Sequence, residues 1–156
     1  MLALLNPLFE FRRGQNQYRP ILMKISPDLD DEEVDLLTDI MIQTPLDGIV
    51  ATNSSATRQN MVSPREAITA CGMGSVSGRP LTQRSIEIVR RIVERSKGTY
   101  PIIGSGGMMS AQDVKDMLAA GASLVQVYSG FIYGGPGFAG DVCRELIQNP
   151  KSKTQN

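Results

Sequence analysis

Histidine and tryptophan are both missing from the 156 residues, and cysteine is limited to Cys71 and Cys143. Without histidine and with so few thiols, a zinc site and a histidine-based nucleophile triad are both excluded. The two cysteines lie far apart and read as free, buried thiols of a reducing compartment. Excess charge of one sign is also absent, because 16 Lys+Arg stand against 16 Asp+Glu. A balanced chain offers no basic face to a phosphate backbone, so nucleic acid is not expected among its partners. There is no long hydrophobic run either. Residues 1–9 are apolar but short, contain Pro7 and follow no basic region, so neither a signal peptide nor a spanning helix fits. What remains is 41% hydrophobic and 21% charged residues, enough for one packed domain, with 15 Gly and 8 Met against 5% aromatics. That balance favours an α/β chain over an all-β one.

Periodicity supports the same class. Residues 21–25 (ILMKI) form a short apolar run between Pro20 and Pro27, the pattern of a strand buried on both faces, with Lys24 its one anomaly. Asp30 with Glu33 predicts a helix start, and Val34, Leu37, Ile40 and Met41 recur at helical spacing before Pro45. Residues 47–52 (DGIVAT) predict a second strand, with a polar loop, residues 53–58 (NSSATR), at its C-terminal end. A long glycine-rich connection then leads to a helical stripe of Ile86, Val89, Ile92 and Val93, closed by Arg95, Lys97 and Gly98. A third strand opens at Pro101, and Ser110 with Asp113 starts the helix of Val114, Met117 and Leu118. Residues 123–128 (SLVQVY) predict a fourth strand, followed by glycine-rich turns and a last helix around residues 141–148. Strands alternating with helices indicate a parallel sheet with right-handed crossovers. Open doubly wound sheets and closed barrels share this rhythm, but four βα units are half of an eight-stranded barrel. The expected division is a helical segment over residues 1–18, a half-barrel over 19–149 and a polar, frayed tail over 150–156.

Several loops carry candidate chemistry. Gly104-Ser105-Gly106-Gly107 lies between a strand and a capped helix, where glycine lets backbone amides approach an anion. It reads equally as a tight strand-to-helix turn, and it is not a dinucleotide fingerprint, since Met109 occupies the place of the third glycine. Tyr128-Ser129-Gly130 ends the very next strand, and in barrels the last two such loops with a short extra helix commonly build one phosphate site. Edge residues with satisfied hydroxyls would give the same residues. Lys24, charged within a strand, either snorkels out at the strand end or faces an anionic ligand. Thr52-Asn53-Ser54-Ser55 offers an amide and hydroxyls where parallel barrels contact substrate, although self-satisfied turns would use the same groups. The acidic run of residues 28–33 reads as solvated carboxylates favourable to a helix N-terminus.

Taken in order and spacing, these segments resemble a known family. Residues 24–28 (KISPD), 47–53 (DGIVATN), 77–81 (SGRPL), 101–107 (PIIGSGG) and 121–130 (GASLVQVYSG) are similar to dihydroorotate dehydrogenase, more narrowly to its quinone-dependent class 2. The likeness runs from about Arg19 to Gln148 and corresponds to the C-terminal half of that enzyme.

The resemblance implies half of a (β/α)8 TIM barrel of the FMN-linked oxidoreductase type, from an enzyme that oxidises dihydroorotate to orotate in pyrimidine biosynthesis. By position, Lys24 and Thr52 would contact the flavin, with Lys24 countering negative charge on the reduced ring. Gly78, Gly106, Gly107, Tyr128 and Ser129 would line the rest of the FMN site, the last three around its phosphate, and Asn53 and Ser54 would hold orotate. The family more often has Thr at the position of Ser54, which keeps the hydroxyl. The serine that removes the substrate proton in this class lies in an Asn-Ile-Ser-Ser-Pro-Asn type segment, and no such segment stands here. The expectation is therefore a chain without its catalytic base and inactive alone. The resemblance further implies quinone contacts through the missing half, a cytoplasmic chain whose parent enzyme is peripheral on the inner membrane, and either a homo-oligomer or pairing with the missing N-terminal half. The non-enzymatic alternatives are an inactive FMN- or phosphate-binding half-barrel and a self-associating structural fragment.

Overall fold

The computed structural model describes residues 1–58 and 61–148. The expected tail over 150–156 lies outside the described residues. The elements in chain order are α1 (Leu2–Arg13), β1 (Leu22–Ile25), α2 (Asp31–Gln43), β2 (Gly48–Ala51), α3 (Arg65–Ala70), a 3₁₀ turn (Arg79–Leu81), α4 (Thr82–Ser96), β3 (Ile102–Ser105), α5 (Ala111–Ala119), β4 (Leu124–Gln126), α6 (Ser129–Gly134) and α7 (Phe138–Gln148). The strands form one parallel sheet in the order β1-β2-β3-β4. This is the succession of βα units expected of half a barrel.

Local chemistry sets the helix boundaries. Asp30 accepts from the Glu33 amide while Glu33 reaches back to the Asp30 amide, so α2 begins at a complete capping box. Ser110 caps α5 by accepting from the Asp113 amide. Lys97 closes α4 in the left-handed region, with the Gly98 amide donating to the Val93 carbonyl. Two short helices, α3 and α6, stand where the sequence predicts only loop and glycine-rich turns. Both have six residues, too few for periodicity to show.

The strands present alternate side chains to two environments. Ile25, Ile49, Ala51 and Ile102 face the helices and are at most 4% exposed. Above them α4 lays down Ser85, Ile88, Val89, Ile92 and Ser96, and α2 contributes Val34, Thr38 and Met41. Gly104 faces α5 so closely that a Cβ there would overlap the Met117 side chain. The opposite face is open, with Leu124 63% and Leu22 38% exposed and Lys24 exposed beside them. This corrects the expectation that β1 is buried on both faces. Lys24 is no buried ammonium, because its pleat points to the side of the sheet that the helices leave uncovered.

A ladder of ion pairs joins α2 to α4. Arg84 and Arg91 both bind Asp31 at 2.9 Å, Arg91 binds Asp35 at 2.7 Å, and Arg95 binds Asp35 at 3.3 Å and Asp39 at 2.6 Å. Partly exposed pairs of this kind are individually worth little, and their value lies in registering two helices already packed through their cores. At the N-terminal end of the sheet, Asp47 gathers α1 and β1. It accepts from Arg12 at 2.5 Å, from the Tyr18 hydroxyl and from the Ile21 amide at 2.6 Å.

Both cysteines are exposed, against the expectation of buried thiols. Cys143 falls off the Phe138, Val142, Leu146 stripe by which α7 packs, and Cys71 follows α3, which buries no residue.

Candidate functional site

At the C-terminal end of the sheet lies a cleft of about 440 Å³, lined by Lys24, Thr52, Asn53, Ser54, Gly78, Gly106, Gly107, Tyr128 and Ser129 together with Ser75, Ser77 and Gln126. Every residue that the resemblance assigns to FMN or orotate therefore borders one space, whereas Ser55, Gly104 and Gly130 of the same loops do not line it. Ser75, Ser77 and Gln126 were not anticipated. Gln126 lies one pleat before Tyr128, and strand alternation alone would have placed it on the open face.

The floor is the Ser105-Gly106-Gly107 turn after β3. Gly106 and Gly107 have φ of +106° and +78°, backbone that disfavours any side chain. Space forbids one as well, because a Cβ on Gly107 would overlap the backbone of Thr82 and one on Gly106 the hydroxyl of Ser85. Thr82 adds a 2.7 Å hydrogen bond from its hydroxyl to the Gly107 carbonyl, fixing that peptide. The turn thus presents bare main chain to the cleft beside the end of β4, which allows an anion to come close.

The opposite wall is held by Asp28. Its carboxylate accepts from the Ser55 hydroxyl at 2.5 Å and from the Ala56 amide at 2.7 Å, anchoring the loop that follows Asn53 and Ser54. Partial burial pushes this carboxyl up, but the hydrogen bonds from Ser55, the Ala56 and Thr57 amides and Ser26 outweigh it and hold it below the usual carboxylate range. Asp28 and Asp31 are exposed, as expected of residues 28–33, and each is in addition engaged by a partner in the fold. Ser55 also pairs antiparallel with Val76, which brings residues 75–78 over the cleft. There the Ser129 hydroxyl donates to Ser77 at 3.0 Å.

Thr52 borders the cleft but turns its hydroxyl away. It is 1% exposed, and its Oγ1 lies 2.9 Å from Ser85 Oγ on α4. Asn53 is held through its amide, which donates to the Ile25 carbonyl at 2.7 Å, and the residue is exposed. Among the described residues no buried side-chain polar atom lacks a partner. The polar groups available to a ligand are therefore those facing the cleft.

A family model described as dihydroorotate dehydrogenase matches residues 4–149. The chain belongs to the dihydroorotate dehydrogenase family. A dihydroorotate dehydrogenase (quinone) of Kineococcus radiotolerans is 46% identical over 131 residues, covering 84% of this chain and 36% of the relative. One from Christiangramia forsetii is 41% identical and covers 93% of this chain and 42% of the relative. The crystal structure of a ligand-free dihydroorotate dehydrogenase from Eimeria tenella superposes with a TM-score of 0.84 at 30% identity, over 94% of this chain and 44% of that one. The chain thus spans well under half the length of the relatives it matches. Within that span the fold is that of four βα units of the family's TIM barrel.

Proposed function

We propose that this chain supplies the flavin-phosphate half of a quinone-dependent dihydroorotate dehydrogenase and binds FMN in the cleft at the C-terminal end of the sheet. One observation carries the reading. Two adjacent strand ends, Gly106-Gly107 and Tyr128-Ser129, converge on one space that Lys24 and Asn53 also border. The donor set fits the group. Glycines that tolerate no Cβ leave main chain for a phosphate, and Lys24 offers a positive charge to an anionic ring. FMN, when bound, supplies the hydride acceptor for the oxidation of dihydroorotate to orotate in pyrimidine biosynthesis.

The roles of the chain's own residues follow from their chemistry. Gly78, Gly106, Gly107, Tyr128 and Ser129 surround the cofactor site, with the phosphate nearest the last three. Lys24 holds charge beside the ring. The Asn53 amide both donates and accepts, and the Ser54 hydroxyl does the same, which suits the alternating carbonyl and N–H groups of orotate. Thr52 acts through its backbone and methyl group, since its hydroxyl is committed to Ser85 and neighbouring carbonyls. Serines border the cleft, but none stands in an Asn-Ile-Ser-Ser-Pro-Asn type segment such as carries the family's proton acceptor, a contribution of about 10²–10⁴-fold. The chain alone is therefore inactive in this reading, and the proton acceptor and quinone contacts belong to the other half of the barrel. We place the chain itself in the cytoplasm and its parent enzyme on the inner membrane surface.

A second reading is favoured by the open sheet face. With β1 and β4 at the edges and Leu22 and Leu124 exposed on them, a second copy or the other half-barrel would bury that face. One experiment separates these readings. The purified chain is titrated with FMN and then mixed with dihydroorotate. A flavin spectrum that does not bleach is the expected result. Bleaching in a single turnover would show that the base is present after all, and no flavin binding would leave only the structural reading.

A further inference from the structure

The first turn of α4 meets the cleft from beneath through Ser85. This residue is fully buried, and the hydrogen-bond partner of its hydroxyl among the described residues is Thr52 Oγ1, at 2.9 Å. Proton accounting gives the bond a direction. Thr52 Oγ1 lies 3.1 Å from the Asn53 carbonyl oxygen and 3.4 Å from that of Ser105. Ser85 Oγ has no other acceptor in reach among the described residues, so both protons are used when Ser85 donates to the Thr52 lone pair and Thr52 donates to one of these carbonyls. The result is a buried relay from α4 through Thr52 to two peptides, since its hydroxyl lies nearer the Asn53 carbonyl and its main-chain amide donates to the Ser105 carbonyl at 2.6 Å. One peptide follows Asn53, at the substrate end of the cleft, and the other precedes Gly106, at the phosphate end. Gly106 rests on the same pair, since a Cβ there would overlap Ser85 Oγ and approach Thr52 Oγ1 to 2.9 Å.

We propose that Ser85 is a positioning residue that holds the two ends of the cleft, Asn53 and Gly106, in one register through Thr52. It touches no ligand and acts through the peptides it orders. Its consequence for cofactor binding rests on the flavin reading above, whereas the relay itself does not.

Ser85→Ala keeps the Cβ and removes the donor, leaving a buried Thr52 hydroxyl short of one partner. In the ligand-free chain the amides of Thr52 and Asn53, which donate to Ser105 and Ile25 respectively, should exchange about tenfold faster, while the Val34 amide in α2 keeps its rate. FMN affinity, read from flavin fluorescence, should weaken about tenfold, and orotate affinity at saturating FMN should fall with it. Thr52→Val should reproduce this local pattern, and the double variant should be little worse than either single one. Equal acceleration at Val34 would mean global destabilisation and would overturn the proposal, as would unchanged exchange at Asn53 or strictly additive effects of the two variants. If the unaltered chain does not quench FMN fluorescence, the flavin reading falls while the exchange pattern still decides the relay.

Discussion

The two faces of the sheet are built from alternate residues of the same short strands, yet they differ in almost every physical respect. On one face Ile25, Ile49 and Ile102 are no more than 4% exposed beneath α2, α4 and α5, and the ion-pair ladder registers the helices above them. On the other, Leu124 is 63% exposed and Lys24 and Gln126 stand free. The covered face is complete within this chain, so the cost of ordering the backbone is offset there. The open face contributes little to folding. What it carries at its C-terminal rim is binding chemistry, and the two properties can be altered separately.

The sharpest way to break this comparison is to truncate one side chain on each face. Ile92→Ala, in the covered face, should cost about 2–5 kcal/mol in denaturant unfolding, whereas Leu124→Ala, measured at dilutions where the chain is monomeric, should stay within about 0.5 kcal/mol of the original. Similar losses at both sites would mean that the open face is packed in solution. The rim comes next. Gly107→Ala should abolish measurable FMN retention, because the added methyl overlaps the Thr82 backbone and reshapes the turn. Retention of FMN by this variant would move the phosphate elsewhere.

Self-association measures how the open face behaves. Light scattering is expected to report a mass near twice 17.0 kDa or above, with Leu22→Asp shifting it. A monomer at all concentrations would mean that the open face is not a self-association surface. Lys24→Met should leave the melting temperature nearly unchanged, since the side chain is exposed, while weakening FMN binding. A large loss of stability would assign Lys24 to the fold.

The smallest effect is that of acid. Hydrogen bonds from Arg91 hold Asp35 low, those from Arg95 hold Asp39 low, and Asp28 and Asp47 stay low because their hydrogen bonds outweigh partial burial. Folded carboxyls below their unfolded values stabilise fully above the ordinary value of 3.8, and this stability is lost as pH falls through the lowered folded values. Asp28→Asn should therefore make the chain less stable at neutral pH and flatten its acid unfolding slope below about pH 4. An unchanged slope would mean that Asp28 is not held by the loop it faces.

Legibility followed the range of the interactions. The strands, the Asp30 and Ser110 caps and the glycine turn are written in neighbouring residues, so period and spacing reveal them. Position at the strand ends marked Lys24, Asn53 and Tyr128 as candidates with plain structural readings beside them, the resemblance assigned them to one site, and the structure brings them around one cleft. The bonds that hold the cleft in shape were not. Ser85 lies 33 residues from Thr52, and Ser55 lies 27 from Asp28, separations at which polar residues in one sequence give no pairing signal. The open face of β1 and the exposure of both cysteines were missed for a related reason. Periodicity says which residues share a face, but only the packing shows whether that face is covered.

The central claim is that two neighbouring strand ends form one phosphate site, and an amide-resolved titration of the chain with FMN tests it most directly. The amides of Gly106, Gly107, Tyr128 and Ser129 should shift first and furthest, with the covered face silent. Largest shifts over residues 71–75 instead, or shifts spread evenly over the chain, would contradict the account.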